Sequence, residues 1–228
     1  MRQLEKIAVI RSDFPEKFGI PRQSGIIEEL KAEIIFEPSY RDPNCVMGLE
    51  DFSHIWLIWE FSGNLEAGWS PTVIPPRLGG RIHKGVFATR SPFRPNPIGL
   101  SCVKLTEVLP DDPDGPVILV QGPDLMDGTP ILDIKPYIPY ADSIPDAASG
   151  FLADASDLQV RVVIPEEVRT ILGEDLTAKV EDVLKNDPRP TYQNDPDRVY
   201  GVLFGGYNIT FHVEEDVLHV LTAEKQLT

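Results

Sequence analysis

The sequence predicts a mainly β protein, in which an N-terminal β-barrel of short antiparallel strands precedes a smaller C-terminal α+β domain. Short apolar segments recur about every ten residues and are separated by turns, a pattern typical of an all-β barrel or sandwich. The 22 Pro and 17 Gly interrupt regular structure often. Apolar residues at helical spacing occur only after Pro165. An Ala-, Ser- and Asp-rich stretch at 146–157 suggests domains at 1–155 and 156–228.

The first domain is predicted to contain strands at 3–10, 30–37, 52–61, 81–88, 99–109 and 117–121. Residues 52–61 carry two Trp and two Phe, so we expect this strand to be buried on both faces. In the second domain, a strand at 158–164 leads into a helical stretch that begins at Pro165 and divides at Gly173. Strands at 199–204, 207–213 and 217–222 follow.

Composition limits the possible functions. The net charge of −15 argues against general nucleic-acid binding, although a local basic patch can serve an enzyme that contacts RNA briefly. The apolar run 55–61 is too short to span a membrane. No secretory segment is recognisable, so we expect a cytoplasmic protein in which Cys45 and Cys102 are free thiols.

One stretch stands apart in charge and stiffness. Residues 67–106 contain no Asp or Glu but hold six Lys and Arg side chains, which predicts a site for a negatively charged group. Within it, 85–101 has three prolines that restrict the backbone before any ligand arrives. Arg90 and Arg94 carry forked donors suited to carboxylate or phosphate. The alternative is a surface loop with solvated charges.

A second stretch, 124–143, contains the turn Asp127-Gly128 and is again rich in Pro. Asp133 and Lys135 are two apart in a predicted strand and therefore share a face, with Tyr137 next in that row. The row is either a functional surface or an exposed ion pair that contributes little to stability. We favour the functional interpretation, because the segment is stiffened by Pro.

Four blocks in order resemble the TrmO (TsaA-like, YaeB or UPF0066) family of S-adenosylmethionine-dependent tRNA adenosine N6-methyltransferases. The blocks are Lys-Phe-Gly-Ile-Pro-Arg-Gln at 17–23, Phe-Ser-His-Ile-Trp at 52–56, Thr-Arg-Ser-Pro-Phe-Arg-Pro-Asn-Pro-Ile-Gly at 89–99, and 124–143. The resemblance covers residues 1 to about 155 and continues more weakly at Asp-Pro-Arg-Pro, 187–190.

The resemblance implies S-adenosylmethionine as cofactor, a homodimer that completes the cofactor site, and the anticodon loop of tRNA as substrate, where a threonylcarbamoyl-modified adenosine lies beside the anticodon. It implies cofactor contacts at Pro21, Arg22, Gln23, His54, Ile55, Arg90, Leu100, Leu125, Met126, Asp127, Gly128 and Thr129. On residue chemistry alone, His54 is more often a hydrogen-bonded core residue.

Within that framework, catalytic roles fall to Asp133, Tyr137 and Lys135. An acceptor for the amine hydrogens, Asp133 or Tyr137, would help the adenosine nitrogen to react and lose a proton. Substrate binding falls to the residues whose side chains suit an RNA loop carrying an extra carboxylate: Phe93, Arg94, Asn96 and Arg189.

Two other functions fit the sequence. The first is a noncatalytic module that binds S-adenosylmethionine or a nucleotide. The second is a metal-dependent hydrolase that uses Asp124, Asp127 and Asp133. We predict no metal site, because the four histidines (His54, His83, His212 and His219) show no paired ligand spacing.

Overall fold

The computed structural model describes residues 4–78, 80–153, 159–189, 195 and 197–226. The chain forms two units. One holds residues up to Ser12 together with Arg22–Ser143, and the other holds Asp13–Pro21 together with the chain from Ile144 onward. Among the described residues, no helix has the length and apolarity needed to cross a bilayer.

The first unit is a closed, six-stranded antiparallel barrel, which confirms the predicted fold class. Its strands are β1 (Ala8–Arg11), β2 (Lys31–Phe36), β3 (His54–Glu60), β6 (Ile98–Leu109), β7 (Val117–Gln121) and β8 (Pro130–Pro136), while β4 (Thr72–Val73) and β5 (Lys84–Gly85) form a separate ladder. Around the barrel the order is β1-β2-β7-β6-β3-β8. The unit also contains a helical turn, α1 (Pro139–Asp142).

Strand β3 shows how the barrel sorts its side chains. Ile55, Leu57 and Trp59 face the core and are at most 9% exposed. The alternate residues, beginning with His54 and Trp56, are only half-buried. The prediction that this strand is buried on both faces is therefore wrong for its outer face, because a single closed barrel has core on one side only.

The predicted strand at 81–88 is much shorter in the structure. Only Lys84–Gly85 is extended, and Val86–Ala88 forms a single 3₁₀ turn. Its partner strand, Thr72–Val73, is bounded by Pro71 and Pro75, which lack the backbone N–H needed to extend the ladder. The segment that enters the arginine-bearing loop is thus a short ladder followed by a tight turn.

The second unit is an α+β fold, as predicted. A four-stranded sheet in the order β10-β11-β12-β9 packs against two helices. The elements are β9 (Arg161–Val163), α2 (Glu166–Leu172), α3 (Glu174–Lys185), β10 (Tyr200–Phe204), β11 (Tyr207–Glu214) and β12 (Val217–Lys225). Gly173 separates the helices with a φ of 75°, so the predicted division is confirmed.

The segment Asp13–Pro21 belongs to this second unit because its aromatic side chains bury there. The Phe14 and Phe204 ring centroids are 4.9 Å apart. A Cβ added to Gly19 would lie 2.4 Å from Cγ2 of Val202, so only Gly fits at that close approach. The predicted domain boundary at 155/156 lies outside the described residues.

Candidate functional site

The proline-braced loop is held by hydrogen bonds of its own. Arg94 donates from its guanidinium to the carbonyl oxygens of Val86 (3.2 Å) and Thr89 (2.7 Å), and lies over the ring of Phe87 at 5.7 Å. The Thr89 hydroxyl donates to the Val86 carbonyl oxygen at 2.9 Å. In this structure Arg94, a predicted substrate-binding residue, fastens the loop.

Arg90 is arranged differently. Its side chain is exposed, and its guanidinium donates to the side-chain oxygen of Gln23. The Gln23 amide in turn donates to the carbonyl oxygen of Arg22. The structure therefore brings together two segments, 22–23 and 89–90, that are far apart in sequence and were both predicted to hold the cofactor. Pro21 is buried and belongs to the second unit.

Segment 22–25 packs closely on the chain that follows β7. The Gly25 amide donates to the carbonyl oxygen of Gly122 at 2.9 Å. Gly122 has a φ of 70°, and a Cβ there would lie 3.1 Å from Cα of Gly25. This approach leads directly to Asp124, because the Ser24 amide hydrogen-bonds the Asp124 carboxyl group.

Asp124 is the functional candidate that sequence reasoning did not assign to the cofactor site. Burial raises the pKa of its carboxyl group, while hydrogen bonds from Ser101 and the Ser24 amide and the charge of Arg90 act in the opposite direction. Its Oδ1 atom is buried without a hydrogen-bond partner. Trp59 Nε1 donates to the Ser101 hydroxyl at 3.0 Å, which fixes that hydroxyl in place.

We name the group formed by Gln23, Arg90, Ser101 and Asp124 the Arg90–Asp124 cluster. It combines an exposed cation, a half-exposed amide and a half-buried acid with one buried oxygen within one unit. A signal for Asp124 was present in the sequence, because it lies two residues after Gly122, just past strand β7. Its hydrogen bond from the Ser24 amide, however, comes from a distant segment, and no local pattern reveals that contact.

The turn 125–129 is anchored to the end of β1. The Ser12 amide donates to Asp127 Oδ1 at 3.0 Å, and the Ser12 hydroxyl donates to the Leu125 carbonyl oxygen at 2.9 Å. The Thr129 hydroxyl donates to the Met126 carbonyl oxygen at 2.6 Å. Leu125 is buried in the barrel core, whereas Asp127 and its neighbour Gly128 are exposed, so the exposed part of the turn is polar.

Two other predicted cofactor residues face opposite sides of the barrel wall. Ile55 is fully buried in the core, in a strand that is paired on both sides, so the structure leaves it no exposed surface for a ligand. Leu100 lies on the outer face and is 50% exposed. His54 is half-buried on the outer face, where its Nδ1 lies 3.0 Å from the Ser53 hydroxyl oxygen.

The predicted catalytic row lies on the same outer face. Asp133 pairs with Ile58 on one side of β3 and Leu100 pairs with Ile58 on the other, so Asp133 and Leu100 are two strands apart, about 10 Å. Lys135 Nζ lies 2.8 Å from Asp133 Oδ2, with side-chain exposures of 61% and 47%. Tyr137 packs against Trp56, with ring centroids 5.7 Å apart. The three residues share a face, as predicted, and Asp133 and Lys135 form the exposed ion pair of the alternative interpretation.

The remaining predicted substrate residues lie apart from this row. Phe93 is 37% exposed and Asn96 is exposed. Asn96 borders a groove of about 960 Å³ whose lining includes Glu5, Glu37 and Glu60. Lys6 also lines it and pairs with Glu37, so Glu5 and Glu60 are the acids that make the groove unfavourable for a phosphate backbone.

Arg189, in the second unit, is 8% exposed. Its guanidinium donates to both carboxylate oxygens of Asp187 at 2.9 Å, and it lies 5.9 Å from the centroid of the Tyr200 ring. The Asp187 hydrogen bonds raise the pKa of Arg189 further. Its charge is therefore satisfied inside the unit.

The hydrolase hypothesis requires three aspartates around one ion. Asp133 is paired with Lys135, Asp127 with the Ser12 amide, and Asp124 is buried beside Ser101. Within the part of the chain that the structure describes, these three do not form a group close enough to share a metal ion.

The fold and motifs match one family along nearly the whole chain. Residues 9–143 match the family model of the tRNA-methyltransferase O N-terminal domain, and residues 158–226 match the TrmO C-terminal domain. The chain belongs to the TrmO family. The predicted resemblance is therefore confirmed, including its weaker extension into the C-terminal part.

Relatives support the assignment to TrmO over the full length. The chain is 41% identical over 230 residues to a tRNA (adenine(37)-N6)-methyltransferase of Escherichia coli strain K12, covering 97% of both. It is 43% identical to the human protein of that name, but spans only 31% of its length. A crystal structure of TrmO from Pseudomonas aeruginosa aligns over 99% of this chain and 98% of that one, with a TM-score of 0.77 and 34% identity.

Proposed function

We propose that this TrmO family member is an S-adenosylmethionine-dependent tRNA methyltransferase. It methylates the exocyclic N6 of the threonylcarbamoyl-modified adenosine next to the anticodon. The observation that carries the proposal is the 41% identity over 97% of both chains to a tRNA (adenine(37)-N6)-methyltransferase. The Arg90–Asp124 cluster on the barrel is the accompanying structural support.

The residues present fit the cofactor. S-adenosylmethionine carries a carboxylate, an ammonium, a sulfonium and an adenine. The Arg90 guanidinium lies in a segment without any acidic residue and suits the carboxylate. The buried Oδ1 atom of Asp124, which has no partner, suits a cationic or hydrogen-donating group. Exposed Leu100 offers an apolar surface for the adenine.

The remaining proposed cofactor contacts are of two kinds. Gln23 accepts a hydrogen bond from Arg90 and donates one to the Arg22 carbonyl oxygen, while Ile55, Leu125 and Thr129 are at most 4% exposed and are proposed to support the site from the core. The half-buried or exposed residues of the outer face and the turn offer side chains or amides: His54, Met126, Asp127 and Gly128. Pro21, which belongs to the second unit, stays a proposed cofactor contact.

When bound, S-adenosylmethionine supplies an electrophilic methyl group. The protein's own task is to position the adenosine amine and accept a proton. Asp133 Oδ2 is the proposed acceptor, and it becomes free when Lys135 Nζ turns away from it. Both side chains are exposed, so this exchange costs little free energy. Lys135 is then available for the threonylcarbamoyl carboxylate, and Tyr137 borders the row.

The substrate adenosine must be unstacked, which a tRNA loop permits at small cost. Phe93 and Tyr140 are 37% and 91% exposed and can stack on a base. Arg94 and Asn96 are proposed to contact the RNA backbone near the braced loop. Arg189 remains a proposed RNA-binding residue. Because its guanidinium is paired with Asp187, we propose that the segment around it makes the contact.

We further propose that residues 1–155 act as the cofactor-binding and catalytic domain, that residues 156–228 form the α+β domain, and that the protein works as a cytoplasmic homodimer. Light scattering of the purified protein tests the dimer. A monomer that still binds S-adenosylmethionine with full affinity would contradict a shared site.

The proposed activity is tested by mass spectrometry of nucleosides after incubation of tRNA, with and without the threonylcarbamoyl modification, with the protein and labelled S-adenosylmethionine. We expect one methyl group on N6 of the modified adenosine. Label that appears on another nucleoside, or no label at all from a protein that binds the cofactor, would contradict the proposal.

A second candidate is a noncatalytic S-adenosylmethionine-binding protein. One relative, 36% identical over 146 residues, is a probable S-adenosyl-L-methionine-binding protein of Pyrococcus abyssi. The same experiment separates the two, since a sensor would bind the cofactor but transfer no label to tRNA.

A further inference from the structure

Two histidines and a glutamate lie together on the hairpin formed by β11 and β12. His212 pairs directly with His219, and their ring centroids are 5.2 Å apart with planes inclined by 14°. Glu214 is two residues along β11 and therefore projects from the same face as His212. One ligand-type atom from each of the three residues lies within 4.8 Å of those of the other two.

The hairpin register creates this group. A two-residue connection, Glu215 and Asp216, joins the strands, and Glu215 adopts a φ of 53° that a tight turn requires. The register then places His212 opposite His219, although seven positions separate them in sequence. Ligand spacings typical of a helix or a zinc knuckle do not include this one, which is why the sequence predicted no metal site.

We propose that His212, Glu214 and His219 bind a divalent transition metal ion of the Zn²⁺ class. Two imidazoles and one carboxylate are a common protein ligand set for Zn²⁺, with a fourth position left to water. Mg²⁺ and Ca²⁺ prefer oxygen ligands and suit this group less well. The site is independent of the proposed methyl transfer and belongs entirely to the second unit.

The ligand-type atoms lie somewhat farther apart than they would around a bound ion. Metal–nitrogen bonds of about 2.0–2.1 Å place tetrahedral ligand atoms about 3.4 Å apart, so the three side chains must draw together by rotation. The histidines are half-buried and Glu214 is exposed, which leaves room for that rotation and for access from solvent. The acidic turn at 215–216 favours a cation, whereas Arg161, which pairs with Val217 from β9, opposes it.

The neighbouring residues along each strand fix the backbone positions of the two histidines. Phe211 and Val213 flank His212 on β11 and are at most 3% exposed, and Leu218 and Val220 flank His219 in the same way. Because these four apolar side chains are locked in the core, the two strands hold the histidine backbones at a constant separation. Such preorganisation reduces the entropy lost on metal binding.

Calorimetric titration of Zn²⁺ into the chelator-treated, untagged full-length protein tests the site. We expect one Zn²⁺ per chain, and at least a tenfold loss of affinity in His219→Asn, since even indirect partners of zinc ligands contribute 10- to 100-fold. Substitution with Co²⁺ should give the intense visible absorption of a tetrahedral ion. The matched control is His83→Asn, an exposed histidine of the other unit, which should leave affinity unchanged.

A second variant guards against misfolding. Glu214→Gln alters an exposed side chain, so the hairpin should form normally. Zn²⁺ should raise the thermal midpoint of the wild-type protein but raise it less in Glu214→Gln. The proposal is overturned if no saturable binding occurs below about 100 μM Zn²⁺, or if folded His219→Asn and Glu214→Gln both bind Zn²⁺ as the wild type does.

Discussion

The loop that carries Arg90 and the segment that carries Arg189 look alike in sequence, since both set an arginine among prolines. In the structure they differ. Arg90 is exposed and donates to the neutral amide of Gln23, whereas Arg189 is buried and forms two hydrogen bonds with Asp187. The second arginine is hydrogen-bonded to an acid, and the first is not.

The cause is the local supply of acidic residues. From 67 to 106 there is no Asp or Glu, so Arg90 and Arg94 donate to amide and carbonyl oxygens, and the acid whose pKa Arg90 lowers, Asp124, comes from a distant segment. Asp187 lies two residues before Arg189 and reaches it with both oxygens. Arginine and proline content therefore predicts a rigid segment, while the absence of acids predicts an arginine that is available to a ligand.

The largest effect that this comparison predicts is at Arg90. Arg90→Ala should weaken S-adenosylmethionine binding by more than about 10²-fold, since a charged hydrogen bond is lost without a local substitute. Calorimetry measures the dissociation constant. The control is Arg81→Ala, another exposed arginine of the acid-free segment, which should bind normally. Equal losses of cofactor affinity in both variants would mean that Arg90 contributes only to the general positive potential and makes no specific contact.

The second prediction concerns Asp133 and Lys135, which have the same spacing as Asp187 and Arg189 but lie exposed on a strand. Asp133→Asn should slow methyl transfer by about 10²-fold while leaving cofactor affinity near normal, because it removes the proposed proton acceptor. Single-turnover transfer to tRNA measures this effect.

The matched control for Asp133→Asn is Glu33→Gln, which breaks the similarly exposed Arg11–Glu33 pair at 3.1 Å. Both changes should alter the free energy of unfolding by less than about 0.5 kcal/mol. A fully active Asp133→Asn variant would remove Asp133 from the reaction.

The third prediction concerns Arg189 itself. Arg189→Ala should lower the free energy of unfolding by about 2 kcal/mol, because it removes two guanidinium hydrogen bonds to the Asp187 carboxylate. Denaturant titration measures it, with Lys179→Ala as the control, since Lys179 pairs with a largely exposed Asp175. Unchanged stability together with a raised KM for tRNA would instead support a direct RNA contact.

Much of the fold followed from pattern. Strand 117–121 and the division of the helices at Gly173 were predicted correctly, because alternating or helical apolar spacing and a glycine at positive φ act locally. The exposure of the outer face of β3 was not predicted, because it depends on closure of the barrel. The shortness of β5 was not predicted either, because the length of that ladder depends on the partner strand.

The site was predicted unevenly for a related reason. Family motifs pointed to Arg90 and Gln23, which the structure joins by a hydrogen bond. Asp124 was missed as a member of that group, since its contacts with Ser24 and Ser101 join segments that are distant in sequence. The His212 and His219 pair was missed because strand register, and not sequence spacing, brings the two rings together.

The smallest expected effect ties Asp124 to the charge of Arg90. Because burial raises the pKa of Asp124 above the ordinary value of 3.8, the folded protein holds this proton at pH values where the unfolded chain has lost it. The contribution of Asp124 to the free energy of unfolding should therefore fall as pH rises from about 3.8 through the raised pKa, and then stay level. Asp124→Asn removes that fall, and Asp114→Asn, in an exposed turn, controls for the loss of one carboxylate.

Arg90 sharpens the same measurement, because its charge lowers the pKa of Asp124. In Arg90→Ala the pKa should rise further, so the decline in unfolding free energy should extend to higher pH than in the wild type. In the double variant with Asp124→Asn the difference should vanish, since no titrating group remains to sense the charge. Identical pH profiles for wild type and Arg90→Ala would mean that the charge of Arg90 does not reach the Asp124 carboxyl group, and the proposed cooperation of the two residues at one ligand would fail.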